Sequence, residues 1–203
     1  MINKNTSVRR LSAAAFALSS VLALGATPLS AAENEHKQAI NAQVVPQIRA
    51  FLTDSRVTDA VNNQNTRHGG ISQTRIDQLD KQWRAETATG SGKLIRSTLD
   101  NDLSAYLVTI QEASQGLFSE IFVMDNKGLN VGQSGITSDY WQGDEAKWQK
   151  TYGKGPDAIL IDDVEFDESS QTFQSQVSLP VVDSISGEVI GAVTVGVNMD
   201  LLQ

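Results

Sequence analysis

Two of the chain's three tryptophans and two of its three tyrosines fall between Tyr140 and Tyr152, in "SDYWQGDEAKWQKTY". Asp139, Asp144, Glu145, Lys147 and Lys150 are interleaved with them. Aromatic walls with a few aimed polar groups make a small-molecule site, and electron-rich ring faces favour a cation. In a helix, Trp141, Glu145, Trp148 and Tyr152 recur at i, i+4, i+7 and i+11 and would share one stripe. The same stripe would equally serve to pack a helix on a sheet, so both uses stay open. Gly143 and Gly153 loosen the ends of the segment, as a closing lid requires.

Every arginine lies at or before Arg96, so the C-terminal half has no guanidinium fork to grip a carboxylate. Lys147 or Lys150 would substitute only as a point charge. The expected ligand is therefore a cationic or neutral solute such as an amine. It would be held by Tyr140, Trp141, Trp148, Tyr152 and Asp162, with Lys150 in reserve for an anionic group.

A second cluster, "IDDVEFDE", places Asp162, Asp163, Glu165, Asp167 and Glu168 close together, and carboxylates are what hard cations prefer. An EF-hand fails, because Glu168 stands where glycine is required and Gln174 where the closing glutamate belongs. With Val164 and Phe166 turned inward, Asp163, Glu165 and Asp167 would lie on a wet strand face. That face is either simply solvated or a weak surface for a divalent cation or a basic partner.

No catalytic constellation emerges. "GQSGI" has Ile136 in the last glycine position of a nucleophile elbow. "GSGK" has Thr87 and Leu94 where a phosphate-binding loop needs glycine and a hydroxyl. His36 and His68 have no nucleophile and orienter in sequence reach. The expectation is a protein that is not an enzyme and has no cofactor.

The elements that must position these residues begin after an export signal. Lys4, Arg9 and Arg10 precede the apolar run "LSAAAFALSSVLAL", which is shorter than the roughly 20 residues of a membrane span. Ser30 and Ala32 sit at −3 and −1 of a cut before Glu33, the rival being an uncleaved anchor. Residues 1–32 carry three of the 16 Lys and Arg and none of the 24 Asp and Glu, leaving 13 against 24, or −11, in the mature chain. That charge repels nucleic acid and anionic lipid. Cysteine is absent, which excludes disulfides and thiol chemistry. Residues 33–203 suit one periplasmic or secreted domain.

From Glu33 to about Asn62, Ile40, Val44, Ile48, Phe51 and Leu52 recur at helical spacing. This predicts one long helix, kinked or interrupted at Pro46. "RHGG" breaks it, "ISQTRIDQLDKQWRA" resumes a helix, and Ile95, Leu99, Leu103, Leu107 and Ile110 predict another, ending near Gly116. Strand-length runs follow. "LFSEIFVMD" and "LNVGQSG" flank the turn "NKG", and "AILIDDVEF", "TFQSQVSLPVV" and "VIGAVTVGVNM" come after the aromatic segment. In the last, Val193, Val195 and Val197 share a face opposite Thr194 and Asn198. Helices followed by hairpin-linked strands imply an α+β fold with an antiparallel sheet.

The long N-terminal helix, the hairpin "IFVMDNKGLNVGQSG", the crossover rich in Trp and Tyr, and the meander ending "IGAVTVGVN" resemble the extracytoplasmic Cache domain. The likeness covers Glu33 to Leu202 and is strongest from Leu117 onward. It implies a PAS-like five-stranded antiparallel sheet with a long N-terminal helix and flanking helices. On this reading residues 33–116 are the helical segment and 117–203 the sheet region of one sensor domain. It implies a small molecule bound between sheet and crossover, a membrane receptor or kinase as partner, and a homodimer through the N-terminal helix. Cache domains that bind free amino acids carry an Arg near the crossover Trp and Tyr, and this sequence matches only in the aromatics.

Overall fold

The computed structural model describes residues 29–167 and 171–202, with side chains from residue 35 onward. The expected signal segment lies outside them up to residue 28, and the expected cut after Ala32 falls in the first turn of the first helix.

The N-terminal stretch is interrupted at the expected Pro46 and again further on, giving α1 (Leu29–Gln43), α2 (Val45–Leu52) and α3 (Ser55–Arg67). Pro46 sits at the start of α2, where its missing N–H costs nothing. The second break comes from Asp54, whose side chain accepts a hydrogen bond from the Arg56 amide and caps α3. Helix α4 (Gln73–Thr87) is capped in the same way by Ser72. The next expected helix is also divided, into α5 (Lys93–Leu99) and α6 (Asp102–Ala113), because the Asn101 side chain caps Ser104 at 2.8 Å. Helix α5 follows Gly92, which has no capping side chain, and Glu86 of α4 instead accepts from the Ile95 amide at 2.9 Å. A Cβ at Gly92 would stand 1.9 Å from the Glu86 carboxyl carbon, so only glycine leaves room for this borrowed cap.

The strands are β1 (Phe118–Met124), β2 (Asn130–Gln133), β3 (Leu160–Ile161), β4 (Glu165–Asp167), β5 (Thr172–Val182) and β6 (Val189–Asn198). They form one antiparallel sheet in the order β2-β1-β6-β5-β3, with β4 also paired to β5. The fold is α+β and PAS-like. The expected single strand "AILIDDVEF" is two short ones, so six strands fill five positions. Val164 and Phe166, expected inward, are exposed, which removes the burial that would hold the ladder together at Val164. Phe166 meets the equally exposed Phe173, edge to face at 5.3 Å.

The pleat divides the sheet into two faces. Ile121, Val123, Val177, Leu179, Val193, Val195 and Val197 point to one, where they pack with Ile40, Ile48 and Phe51 of α1 and α2, Val57 and Val61 of α3, and Leu103 and Leu107 of α6. Phe122, Met124 and Ala192 point to the other, where Trp148 and Tyr152 lie on them. A third cluster, away from the sheet, gathers Ile76, Leu79 and Trp83 of α4 with Ile95, Leu129 and Tyr140.

Two surface carboxylates set an acid limit on this fold. The Asp54 carboxyl is held at about 2, against an ordinary 3.8, by the Arg56 side chain and then by the Arg56 amide. Asp183 is also held at about 2, by the Ser186 amide, the Asn62 side chain and the Ile185 amide. A depressed folded pKa contributes stability that is complete above the unfolded value and is lost as pH falls through the folded one. The melting temperature should therefore fall between about pH 4 and pH 2. Asp183→Asn should flatten that decline, and an unchanged slope would contradict the assignment.

Candidate functional site

The site lies on the sheet face away from α1 and α2, under the crossover that joins β2 to β3. Its position starts with the β1–β2 turn, "DNKG". Asp125 Oδ1 accepts from the amides of Lys127 (2.8 Å) and Leu129 (2.9 Å), an aspartate-initiated turn closed by Gly128 at φ +80°. A Cβ on Gly128 would meet the Gly143 backbone at 2.5 Å, so the crossover runs directly against the turn. Gln142 donates its amide to the Gly128 carbonyl at 2.7 Å, and the Trp141 indole donates to the Lys127 carbonyl at 2.8 Å.

The first half of the crossover is held from α4. Asp80 Oδ1 accepts the amides of Tyr140 (2.9 Å) and Trp141 (3.1 Å), and Arg84 pairs with both Asp80 (2.9 Å) and Asp139 (2.6 Å). Tyr140 is thereby turned away from the sheet and stacks on the fully buried Trp83 at 5.5 Å. Its burial, with Asp125 nearby, pushes the phenol up to about 12. The second half turns toward the sheet. Helix α7 (Ala146–Gln149) is a single turn, and behind it Trp148 and Tyr152 stack at 4.8 Å over Phe122, Met124 and Ala192. The Trp148 indole donates to the Asp125 carbonyl at 3.1 Å.

This corrects the expectation of a mostly helical segment with one aromatic stripe. The helix starts only at Ala146, after Glu145, and the backbone from Tyr140 to Gly143 is spent on bonds to Asp80 and the turn. Trp148 and Tyr152 share a face, whereas Tyr140 and Trp141 belong to the α4 cluster.

Two adjoining cavities open here, the first between crossover and sheet and the second farther along β5, beside β4. One, of about 310 Å³, has Glu120, Phe122, Gln176, Lys147, Gln142 and Ser138 on its walls. The other, of about 380 Å³, shares Asp167, Gln174 and Gln176 with it and adds Asp162, Asp163 and Glu165. Gln176 Nε2 donates to Glu120 Oε1 at 2.8 Å. Burial pushes the Glu120 carboxyl above the usual range, against the Gln176 bond and the Lys147 charge. Burial raises Asp162 likewise, opposed by Lys147 and Lys150. Lys147 is tied to Glu145 at 2.8 Å and lies 5.5 Å over the Phe122 ring. Gln142 is only 2 % exposed, and its Oε1 has no hydrogen-bond partner among the described residues. The lining thus offers several acceptors and carboxyls against one ammonium, and that suits a ligand rich in donors.

Of the residues expected at the site, Asp162 lines the second cavity, and Trp148 and Tyr152 cover the sheet beside the first. Lys150 is exposed, with its charge felt at Asp162. None of Tyr140, Trp141, Trp148, Lys150 and Tyr152 lines either cavity. Asp163 bonds Lys37 of α1 at 2.8 Å, and among the described residues no three His, Asp or Glu side chains are grouped to hold a metal ion. Glu168, the last carboxylate of that cluster, lies outside the described residues. Sequence reasoning passed over Glu120, Phe122, Gln142 and Gln176. The signal for one of them was present, since Glu120 breaks an apolar strand at the same parity as Phe122 and Met124.

No protein-family model matches the chain, and no curated protein sequence matches it. Among solved structures it is similar to the sensor domain of the V. cholerae histidine kinase DctB, with 16 % identity and a TM-score of 0.36 over 84 % of this chain and 57 % of that one. The sensory domain of the Campylobacter jejuni chemoreceptor Tlp3 is similar over 78 % of this chain and 65 % of its own, with 13 % identity and a TM-score of 0.40. The ligand-binding domain of the Pseudomonas aeruginosa amino acid chemoreceptor PctC, solved with GABA, is similar over 71 % and 59 %, with 13 % identity and a TM-score of 0.35. The chain spans less than two thirds of the length of each of these domains.

Proposed function

We propose that this chain is a non-enzymatic sensor domain acting outside the cytoplasm. It binds a small amine-bearing solute between the sheet and the crossover and presents the occupied state to a membrane receptor or kinase. The observation that carries the reading is the pairing of two groups on the wall of one cavity: the half-buried Glu120 carboxyl, and the buried Gln142 side chain, whose oxygen has no partner among the described residues. A buried acceptor without a donor costs free energy unless something supplies one. An ammonium supplies three donors and a charge. Lys147 is already engaged by Glu145, and Trp148 and Tyr152 present an aromatic wall beside the cavity.

The pH dependence follows from the same groups. Glu120 and Asp162 have raised folded pKa values, so their ionised forms cost stability at neutral pH, and that cost is relieved as pH falls through the folded values. A bound ammonium offsets the cost only while they are ionised. Amine affinity should therefore be greatest at neutral pH and weaken on acidification through the range of these carboxyls. Calorimetric titration with primary alkylamines and diamines tests this. Glu120→Gln should weaken binding by about tenfold or more, since a charge-assisted bond is lost, and should flatten the pH profile. Equal amine affinity for wild type and Glu120→Gln at every pH would reject the reading.

A further inference from the structure

A cavity of about 580 Å³, larger than either of the two that share Gln176, lies elsewhere: a cleft between α3 on one side and α5 with the start of α6 on the other. Its floor is Leu79, Leu103, Val131 and the ring of Tyr140, all buried. Most of its charged rim comes from α3, with Asp102 of α6 opposite. Asp59, Asn63 and Arg67 follow at i, i+4 and i+8, so they stand on one line along the helix. Val57 and Val61 of the same helix go to the sheet core.

The charges are separated along this line. At one end Arg67 is exposed and makes no ion pair among the described residues, with His68 next to it. At the other end stand Asp59 and Asp102. Arg56 also reaches that end, but its guanidinium is bound in a fork by Asp54 at 2.8 and 2.7 Å and lies 3.8 Å over the Tyr106 ring. The acidic end therefore keeps its excess of negative charge. The chain has no arginine after Arg96, and Arg84, the guanidinium on the crossover, is engaged by Asp80 and Asp139, whereas Arg67 stands in this cleft beside Tyr140.

We propose that this cleft is a second binding site, for a short zwitterionic peptide. The carboxylate end is gripped by Arg67, and the amino end lies toward Asp59 and Asp102. A guanidinium presents parallel donors that match a carboxylate. From Asp59 to Arg67 is about 12 Å along the helix at 1.5 Å per residue. Three to four extended residues span about that length at 3.3–3.6 Å each. A free amino acid is too short to reach both ends. The volume falls in the range of small-molecule sites, and the floor offers apolar contact to side chains.

The test is titration of the purified protein with trialanine, followed by calorimetry and by amide chemical shifts. Trialanine should bind, moving resonances of α3 and α5 and leaving Trp148 in place. Its C-terminal amide and its N-acetyl form should each bind about tenfold more weakly or worse, and free alanine should not bind at this site. Arg67→Gln should produce the same loss as amidation while leaving the melting temperature unchanged, because Arg67 is exposed and unpaired. Absence of trialanine binding would overturn the proposal. So would binding indifferent to amidation or to Arg67→Gln, or shifts confined to the crossover cavity. The Glu120→Gln protein should still bind trialanine, so failure here is separable from failure of the amine site.

Discussion

Asp125→Ala should melt about 10 °C below the wild-type protein. The Asp125 side chain is fully buried and accepts four hydrogen bonds: from the amides of Lys127 and Leu129, from Gln64 Nε2 at 3.1 Å, and from His68 at 2.9 Å. It joins the end of α3 to the β1–β2 turn, and its own carbonyl receives the Trp148 indole. Removing it leaves buried donors with nothing to meet. Breaking such a buried network costs about 3–5 kcal/mol. In a chain of this size each kcal/mol is worth roughly 2–4 °C of Tm. Thermal denaturation followed by circular dichroism checks this, and a shift of less than about 3 °C would mean that water or a neighbour replaces the carboxyl. Asp125→Asn should lie between the two, since an amide keeps the oxygen that faces the turn but presents a donor to Gln64 or His68.

Trp83→Ala should cost a comparable amount, about 3–5 kcal/mol, although Trp83 reaches the wall of the first cavity only through its bond to Thr137. Trp83 is fully buried, stacks on Tyr140 and donates to the Thr137 carbonyl at 2.8 Å. Its loss opens a large cavity and leaves that carbonyl short of a donor. Trp148→Ala should behave in the opposite way. Trp148 is only partly buried, so it should lose little stability while amine binding falls sharply. Denaturant titration of both variants, alongside amine titration, separates the two roles. Equal destabilisation by both would show that Trp148 is simply core.

These two tryptophans show where the sequence was legible. Trp83 lies with Ile76 and Leu79 at helical spacing, and that pattern alone places it inside. The strands were legible as well, because alternation in "VIGAVTVGVN" and the turn residues of "DNKG" are local signals. The caps Asp54 and Asn101 were equally local, but the apolar spacing ran across them and concealed two helix ends. The aromatic segment was not legible. Spacing joined Trp141 to Trp148, whereas the fold parts them, because Asp80 and Arg84 of α4, far back in the chain, claim the backbone of Tyr140 and Trp141 and the side chain of Asp139. No window of sequence contains both partners. Nor does any window show that Glu120, Gln142 and Gln176 meet, since β1, the crossover and β5 bring them together only when the sheet closes.

The most direct test of the central claim is a two-dimensional NMR titration that follows the three indole N–H signals as butylamine is added. The account predicts that the Trp148 signal moves in a saturable way with the amides around Gln142 and Lys147, and that the buried Trp83 signal does not. No movement of Trp148 at saturating amine, or movement centred on Trp83 and α3, would contradict a ligand site between sheet and crossover.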